Sequence, residues 1–123
     1  MSLIQRIFRI FSRGPVEPVD MNGELAQLVK KMISDDKVVI FSKTYCPYCT
    51  MAKEVFNKIN YKYTAVELDN RDDGDQIQAI LAEMTGAKTV PRVFLDGECV
   101  GGGTDVKALH ESGELSKKLG LTA

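Results

Sequence analysis

Two cysteines with two residues between them, Cys46 and Cys49, stand in the segment Lys43-Thr44-Tyr45-Cys46-Pro47-Tyr48-Cys49. Residues three apart on a helix share a face, so these two thiols are within reach of one another and can close and reopen a disulfide. Thiolate is the reactive form of cysteine, and it is favoured at a helix start, where free backbone N–H groups and the positive end of the macrodipole attract an anion. Cys46, nearer the helix end and solvent, is therefore the candidate nucleophile and Cys49 the resolving thiol. Lys43 adds a positive charge nearby. Pro47 suits a first helical turn, because its missing N–H would have had no helical partner there. Two blander readings exist: Cys49 as a small buried hydrophobe, or the pair as half of a zinc site. The sequence lacks the second C-x-x-C or His-x-x-His pair that a closed tetrahedral site needs.

The elements around this segment must supply the helix start. Val38-Val39-Ile40-Phe41 is a short apolar run of β-branched and aromatic residues, which predicts a strand buried on both faces. Beyond Tyr45, the series Ala52, Val55, Phe56 and Ile59 has helical spacing, and Tyr63 to Leu68 is a second strand candidate. Strand, helix and strand within about 30 residues predict a βαβ unit with parallel strands. Upstream, Leu25, Leu28, Val29, Met32 and Ile33 predict a first helix from Glu24. Downstream, Ile77, Ile80, Leu81 and Met84 predict another, stopped by a left-handed cap at Gly86. Arg92–Leu95 and Glu98–Val100 flank Asp96-Gly97, a pair suited to a tight hairpin turn. Short helical stretches around Val106–His110 and Glu114–Leu119 close the chain. The expected order is α, βαβ, α, ββ, α.

The 123 residues have room for one domain of about 100 residues with a short appendage. An apolar fraction of 44% and a charged fraction of 27% predict an ordinary core. The formal net charge of −1 provides no basic field for a nucleic acid, so partners must be recognised by a site. Three cysteines cannot all pair within one chain, which favours a reducing compartment, where a close pair is catalytic or metal-binding rather than structural. No stretch has the ~18–20 consecutive apolar residues of a transmembrane helix.

Residues 1–20 differ from the domain expected over 21–123. Arg6, Arg9 and Arg13 stand among Leu3, Ile4, Ile7, Phe8, Ile10 and Phe11 with no acid before Glu17, and Gly14, Pro15 and Pro18 read as a linker. The pattern matches a mitochondrial import signal or a disordered or surface-resting tail. The expected location is cytoplasmic, or mitochondrial if the extension is a targeting signal.

Cys46-Pro47-Tyr48-Cys49 resembles the active site of dithiol glutaredoxins. Thr89-Val90-Pro91 before the hairpin and Gly101-Gly102-Gly103-Thr104-Asp105 after it match that family in order and spacing, and the resemblance runs from about Glu24 to Leu121. It implies an α/β thioredoxin (glutaredoxin) fold, a central four-stranded mixed sheet flanked by helices, with Pro91 in cis facing the cysteines. It also implies a groove for glutathione, used as a co-substrate without metal or organic cofactor. Lys43 and Gln78 would hold the glycine carboxylate, and the backbone of Val90, between Thr89 and Pro91, would pair with the peptide part. Gly103, Thr104 and Asp105 would hold the γ-glutamyl end; Tyr48, between the cysteines, would either stack beside the substrate or merely cover the helix start. Asp105 as a plain helix cap, and Gln78 as an ordinary exposed polar residue, remain open. Cys99, without a near partner, reads as a structural thiol, and His110 as a surface residue.

The implied function is glutathione-dependent reduction of protein–glutathione mixed disulfides and protein disulfides by a monomer. One rival is a thioredoxin-like reductase recharged by a flavoenzyme. Another is an iron–sulfur carrier or scaffold in which two subunits and two glutathiones hold a cluster through Cys46, a use disfavoured by the stiff Pro47 next to it.

Overall fold

The computed structural model describes residues 19–121; the Arg-rich stretch through Pro18 lies outside the described residues. The elements are α1 (Glu24–Asp35), β1 (Val38–Ser42), α2 (Pro47–Lys58), β2 (Thr64–Glu67) and a 3-10 turn (Leu68–Asn70). They continue with α3 (Gly74–Thr85), β3 (Arg92–Leu95), β4 (Glu98–Gly101), α4 (Gly103–Ser112) and α5 (Glu114–Lys118). The predicted order is present. Two bounds differ. The second strand is shorter than Tyr63–Leu68, because Leu68 already turns into the 3-10 segment. The first of the closing helices starts at Gly103, ahead of the apolar residues that marked it.

The four strands form one mixed sheet in the order β2-β1-β3-β4. β1 runs parallel to β2 and antiparallel to β3, and β3 is antiparallel to β4. β1 is buried along its whole length, as its unbroken apolar run requires. Its alternate residues serve two cores. Val39 and Phe41 join Ala26, Val29 and Ile33 of α1, Ile77, Ile80 and Leu81 of α3, and Phe94. Val38 and Ile40 join Ala52, Val55 and Phe56 of α2, Val93 and Leu95 of β3, Val106 of α4 and Leu115 of α5. The result is three layers, with α1 and α3 on one face of the sheet and α2, α4 and α5 on the other. Phe41 and Phe94 meet edge to face, with ring centroids 5.7 Å apart.

Both turn expectations hold. Gly86 ends α3 with φ 78°, its N–H donating to the Ala82 carbonyl at 2.8 Å. Asp96 and Gly97 both have positive φ, as the hairpin turn demands. At the other end, the packed domain reaches back beyond the expected boundary at Met21. Val19 packs against the first core cluster, and the Asp20 carbonyl accepts the Gly23 N–H at 3.0 Å. Among the described residues no helix is long and apolar enough to cross a membrane.

Candidate active site

The sheet register brings the site together. Phe41 pairs with Arg92, so the residues leaving β1 lie beside those entering antiparallel β3, and Cys46 comes to face Val90. Ser42 pairs with Glu67, so the turn after parallel β2 arrives at the same end. β4 ends at Gly101 opposite Val93 and delivers α4 there as well.

Cys46 is the N-cap of α2, and Pro47 is its first residue. The Cys49 N–H donates to Cys46 Sγ at 3.3 Å, which directs one unsatisfied donor of the helix start onto the sulfur. Cys46 Sγ also lies 3.8 Å from the Val90 carbonyl oxygen, and the Val90–Pro91 peptide bond is cis. Cys46 is half-buried, whereas Cys49 is 0% exposed.

Burial, followed by its hydrogen bond with Cys46, pushes the Cys49 thiol up to about 11. Cys49 is therefore neutral at physiological pH and does not compete as a nucleophile. Ionisation of this buried group favours the unfolded chain, where the thiol has its ordinary value of 9.0. Between about pH 9 and 11 the folded state keeps a proton that the unfolded state has lost, so stability falls as pH rises. Chemical denaturation across this window is expected to show a fall in the wild type that is flatter in Cys49→Ser. Identical pH slopes in the two proteins would count against the burial assignment.

Gly103 is buried at the start of α4, and a Cβ there would lie 2.4 Å from the Tyr48 carbonyl oxygen. Its small size lets the head of α4 rest on the backbone between the two cysteines. This internal contact by itself demands glycine at position 103. Gly101 has φ 113° and faces the Asp105 carboxylate. Asp105 is not the N-cap of α4, which is Gly102, but its N3 residue, and its Oδ2 reaches back to accept the Gly102 N–H at 2.8 Å. Asp105 and the neighbouring Thr104 are both exposed residues.

The remaining predicted residues are distributed around this centre. Lys43 is half-buried, and its carbonyl accepts the Cys46 N–H at 3.1 Å. Tyr48 is 54% exposed. Thr89 is exposed and Val90 half-buried. Gln78, on α3, is tied to the loop rather than left as an ordinary exposed polar group: its Nε2 donates to the Lys88 carbonyl at 2.7 Å, bracing the approach to Thr89. Cys99 is exposed on edge strand β4, and His110 is half-buried on α4.

Three contributors were given no role by sequence reasoning, Arg92 having been read as a solvated strand residue. Asp69, in the turn after β2, accepts the Thr44 N–H at 3.0 Å and also the Thr44 hydroxyl. Arg92 Nε donates to the Pro91 carbonyl at 3.0 Å, closing over the loop that faces Cys46. Gly74 begins α3 where a Cβ would lie 1.9 Å from the Leu68 carbonyl oxygen, which seats α3 on that same turn. Nothing local marked Asp69 or Arg92, since charged residues in turns and at strand starts are ordinarily solvated.

A four-stranded mixed sheet between helices, with a dithiol at the head of a helix and a cis-proline loop across from it, defines a thioredoxin-fold thiol oxidoreductase. The glutaredoxin family model matches residues 38–100. The chain is 52% identical over 97 residues to Glutaredoxin-C4 of Arabidopsis thaliana, covering 79% of this chain and 72% of that protein. It is also 52% identical over 87 residues to mitochondrial Glutaredoxin-2 of Homo sapiens, covering 71% of this chain and 53% of that one. The buckwheat glutaredoxin–glutathione complex superimposes with a TM-score of 0.74 at 40% identity, covering 79% of this chain and 91% of that chain. The chain belongs to the glutaredoxin family, and its Cys46–Cys49 spacing is that of the dithiol type. Membership carries a glutathione-dependent redox function in general terms.

Proposed function

We propose that this chain catalyses glutathione-dependent thiol–disulfide exchange on protein–glutathione mixed disulfides and on protein disulfides, with Cys46 as nucleophile and Cys49 as resolving thiol. The observation that carries the reading is the asymmetry of the pair. Cys46 Sγ sits at the mouth of the site with a helix-start N–H aimed at it, while Cys49 is buried and protonated behind it. The Cys46 thiolate attacks the glutathione sulfur of a mixed disulfide; the new S–S bond forms as the old one breaks, and the protein thiolate leaves and is protonated. A second glutathione thiolate then attacks the Cys46-bound glutathione sulfur, releasing glutathione disulfide and the Cys46 thiolate. With a protein disulfide, Cys46 forms the mixed disulfide with the substrate and Cys49, once deprotonated, displaces it by closing the Cys46–Cys49 bond.

Glutathione would lie across the mouth of this site. The Lys43 ammonium and the second amide hydrogen of Gln78 suit its glycine carboxylate. The Val90 backbone, held between Thr89 and Pro91, suits strand-like pairing with its peptide. The first N–H groups of α4, from Gly103 onward, have no helical carbonyl to bond and suit the γ-glutamyl carboxylate, with Thr104 beside them. The free Asp105 oxygen suits the ammonium, and Tyr48 would flank the peptide.

The direct test is turnover of a glutathionylated peptide with glutathione as the sole reductant, followed as glutathione disulfide release. Turnover is expected to require glutathione. Reduction that needs a flavoenzyme instead would overturn the reading in favour of a thioredoxin-like reductase.

The pocket carries its own prediction, because Asp105 has two jobs. Asp105→Ala should lose roughly 1 kcal/mol of stability through the Gly102 contact and weaken glutathione use roughly tenfold or more through the lost ammonium partner. Asp105→Asn retains an acceptor for the Gly102 N–H but not the charge. It should keep most of the stability while its KM for glutathione still rises, measured by thermal melts and steady-state kinetics on both variants. An unchanged KM in both would leave Asp105 as a cap only.

A further inference from the structure

The turn that carries the nucleophile is gripped from a distant part of the chain. Lys43-Thr44-Tyr45-Cys46 is closed by the Cys46 N–H on the Lys43 carbonyl at 3.1 Å. Its corner, Thr44, gives its backbone N–H to one Asp69 oxygen at 3.0 Å and its hydroxyl to the other, across 25 positions of sequence. Both carboxylate oxygens are thus committed to one residue of the turn. Thr44 and Asp69 are exposed, so the contact seals no core and its removal opens no cavity. Tyr45 is 72% exposed and supplies little packing of its own to hold the turn.

The neighbouring charge fits the same picture. The Thr44 hydroxyl first, with the Thr44 N–H and the charge of Lys43 contributing, holds the Asp69 carboxyl below its ordinary range. Asp69 is therefore an anion at neutral pH, close enough to Lys43 to act on it. The seat of Asp69 is itself defined: it lies in the 3-10 turn between β2 and α3, fixed by the Ser42–Glu67 pairing on one side and by Gly74 against the Leu68 carbonyl on the other.

We infer that Asp69 is a positioning residue for the exchange reaction: by holding Thr44 at two points it sets the turn so that Lys43 faces the substrate carboxylate while Cys46 stays at the head of α2. The inference rests on the roles proposed above for Lys43 and Cys46. An exposed turn with a single closing hydrogen bond samples several conformations, and each displaces Lys43 from the pocket. Groups that bind substrate equally in ground and transition states appear in KM, so loss of the grip should act there rather than on kcat.

The test compares Asp69→Ala, Asp69→Asn, Thr44→Val and the Asp69→Ala/Thr44→Val pair in turnover of a glutathionylated peptide, with Cys46→Ser as control. Asp69→Ala should raise KM roughly tenfold, the scale of one charge-assisted hydrogen bond, with kcat within about twofold. Its melting temperature should barely move, since the residue is exposed. Asp69→Asn, which keeps an acceptor, should be intermediate, and the paired variant should be no worse than Asp69→Ala, since Thr44→Val removes only the hydroxyl bond, which Asp69→Ala already removes together with the N–H bond. An unchanged KM, a lowered melting temperature without a KM change, or additive effects in the pair would each overturn the inference. Failure of the wild-type reaction, or turnover by Cys46→Ser, overturns the underlying reading and this inference with it. Asp69 variants indistinguishable from an active wild type overturn the inference alone.

Discussion

Replacing Cys46 by serine should abolish turnover of every disulfide substrate, by about three orders of magnitude or more, while leaving the fold intact. An alcohol is far too basic to be ionised at neutral pH, and the one N–H aimed at this position cannot make up that difference. The variant is also a clean one. Cys46 is the N-cap of α2, and serine is among the best N-cap residues, its oxygen accepting an N–H of the first turn as the Cys46 sulfur now does. Melting temperature should therefore hold steady or rise. Both quantities should be measured on the same preparation: activity lost at constant stability identifies the nucleophile, whereas appreciable turnover by Cys46→Ser would place the chemistry elsewhere.

Cys49→Ser should separate two reactions. Deglutathionylation should persist within a few-fold, because a second glutathione can resolve the Cys46 adduct from solution. Reduction of protein disulfides should fall by about a hundredfold or more, because the substrate remains attached to Cys46 with no internal thiol to displace it. Intramolecular attack from a neighbouring thiol has an effective concentration that an external thiol at millimolar levels does not approach. The site should accept the substitution, since serine is close to cysteine in size and a helical serine hydroxyl can donate to the backbone carbonyl one turn back. The measurement is a parallel assay on a glutathionylated peptide and on a protein disulfide. Loss of both activities together would rule out the single-thiol route.

Much of the frame was legible because it is written in local pattern. The unbroken run Val38–Phe41 marked a strand covered on both faces, and it is β1, with alternate residues in the two cores. Helical spacing placed α1, α2 and α3, and left-handed positions at Gly86 and Gly97 marked where elements end or reverse. The boundary before Met21 was less legible. Proline and glycine announce a linker, but a single valine such as Val19 does not announce the core face it will cover. Cis geometry at Pro91 came from family resemblance alone, since the two isomers of a peptide bond leave the same trace in a sequence.

The sequence by itself determined the chemistry available: two thiols at helical spacing, a proline that starts a helix between them, and a strand that must end just before. Tertiary structure alone decided their neighbours. Phe41 opposite Arg92 and Ser42 opposite Glu67 are choices of register, made by the summed packing of two cores rather than by any residue near the site. Those choices place the Val90 carbonyl by Cys46, bring Asp69 to Thr44 and set Gly103 against Tyr48. The physical reason is one of range. Propensity, capping and turn geometry act over a few residues and can be read along the chain, whereas strand pairing and helix packing join residues tens of positions apart, and their free energy exists only once the whole sheet has formed.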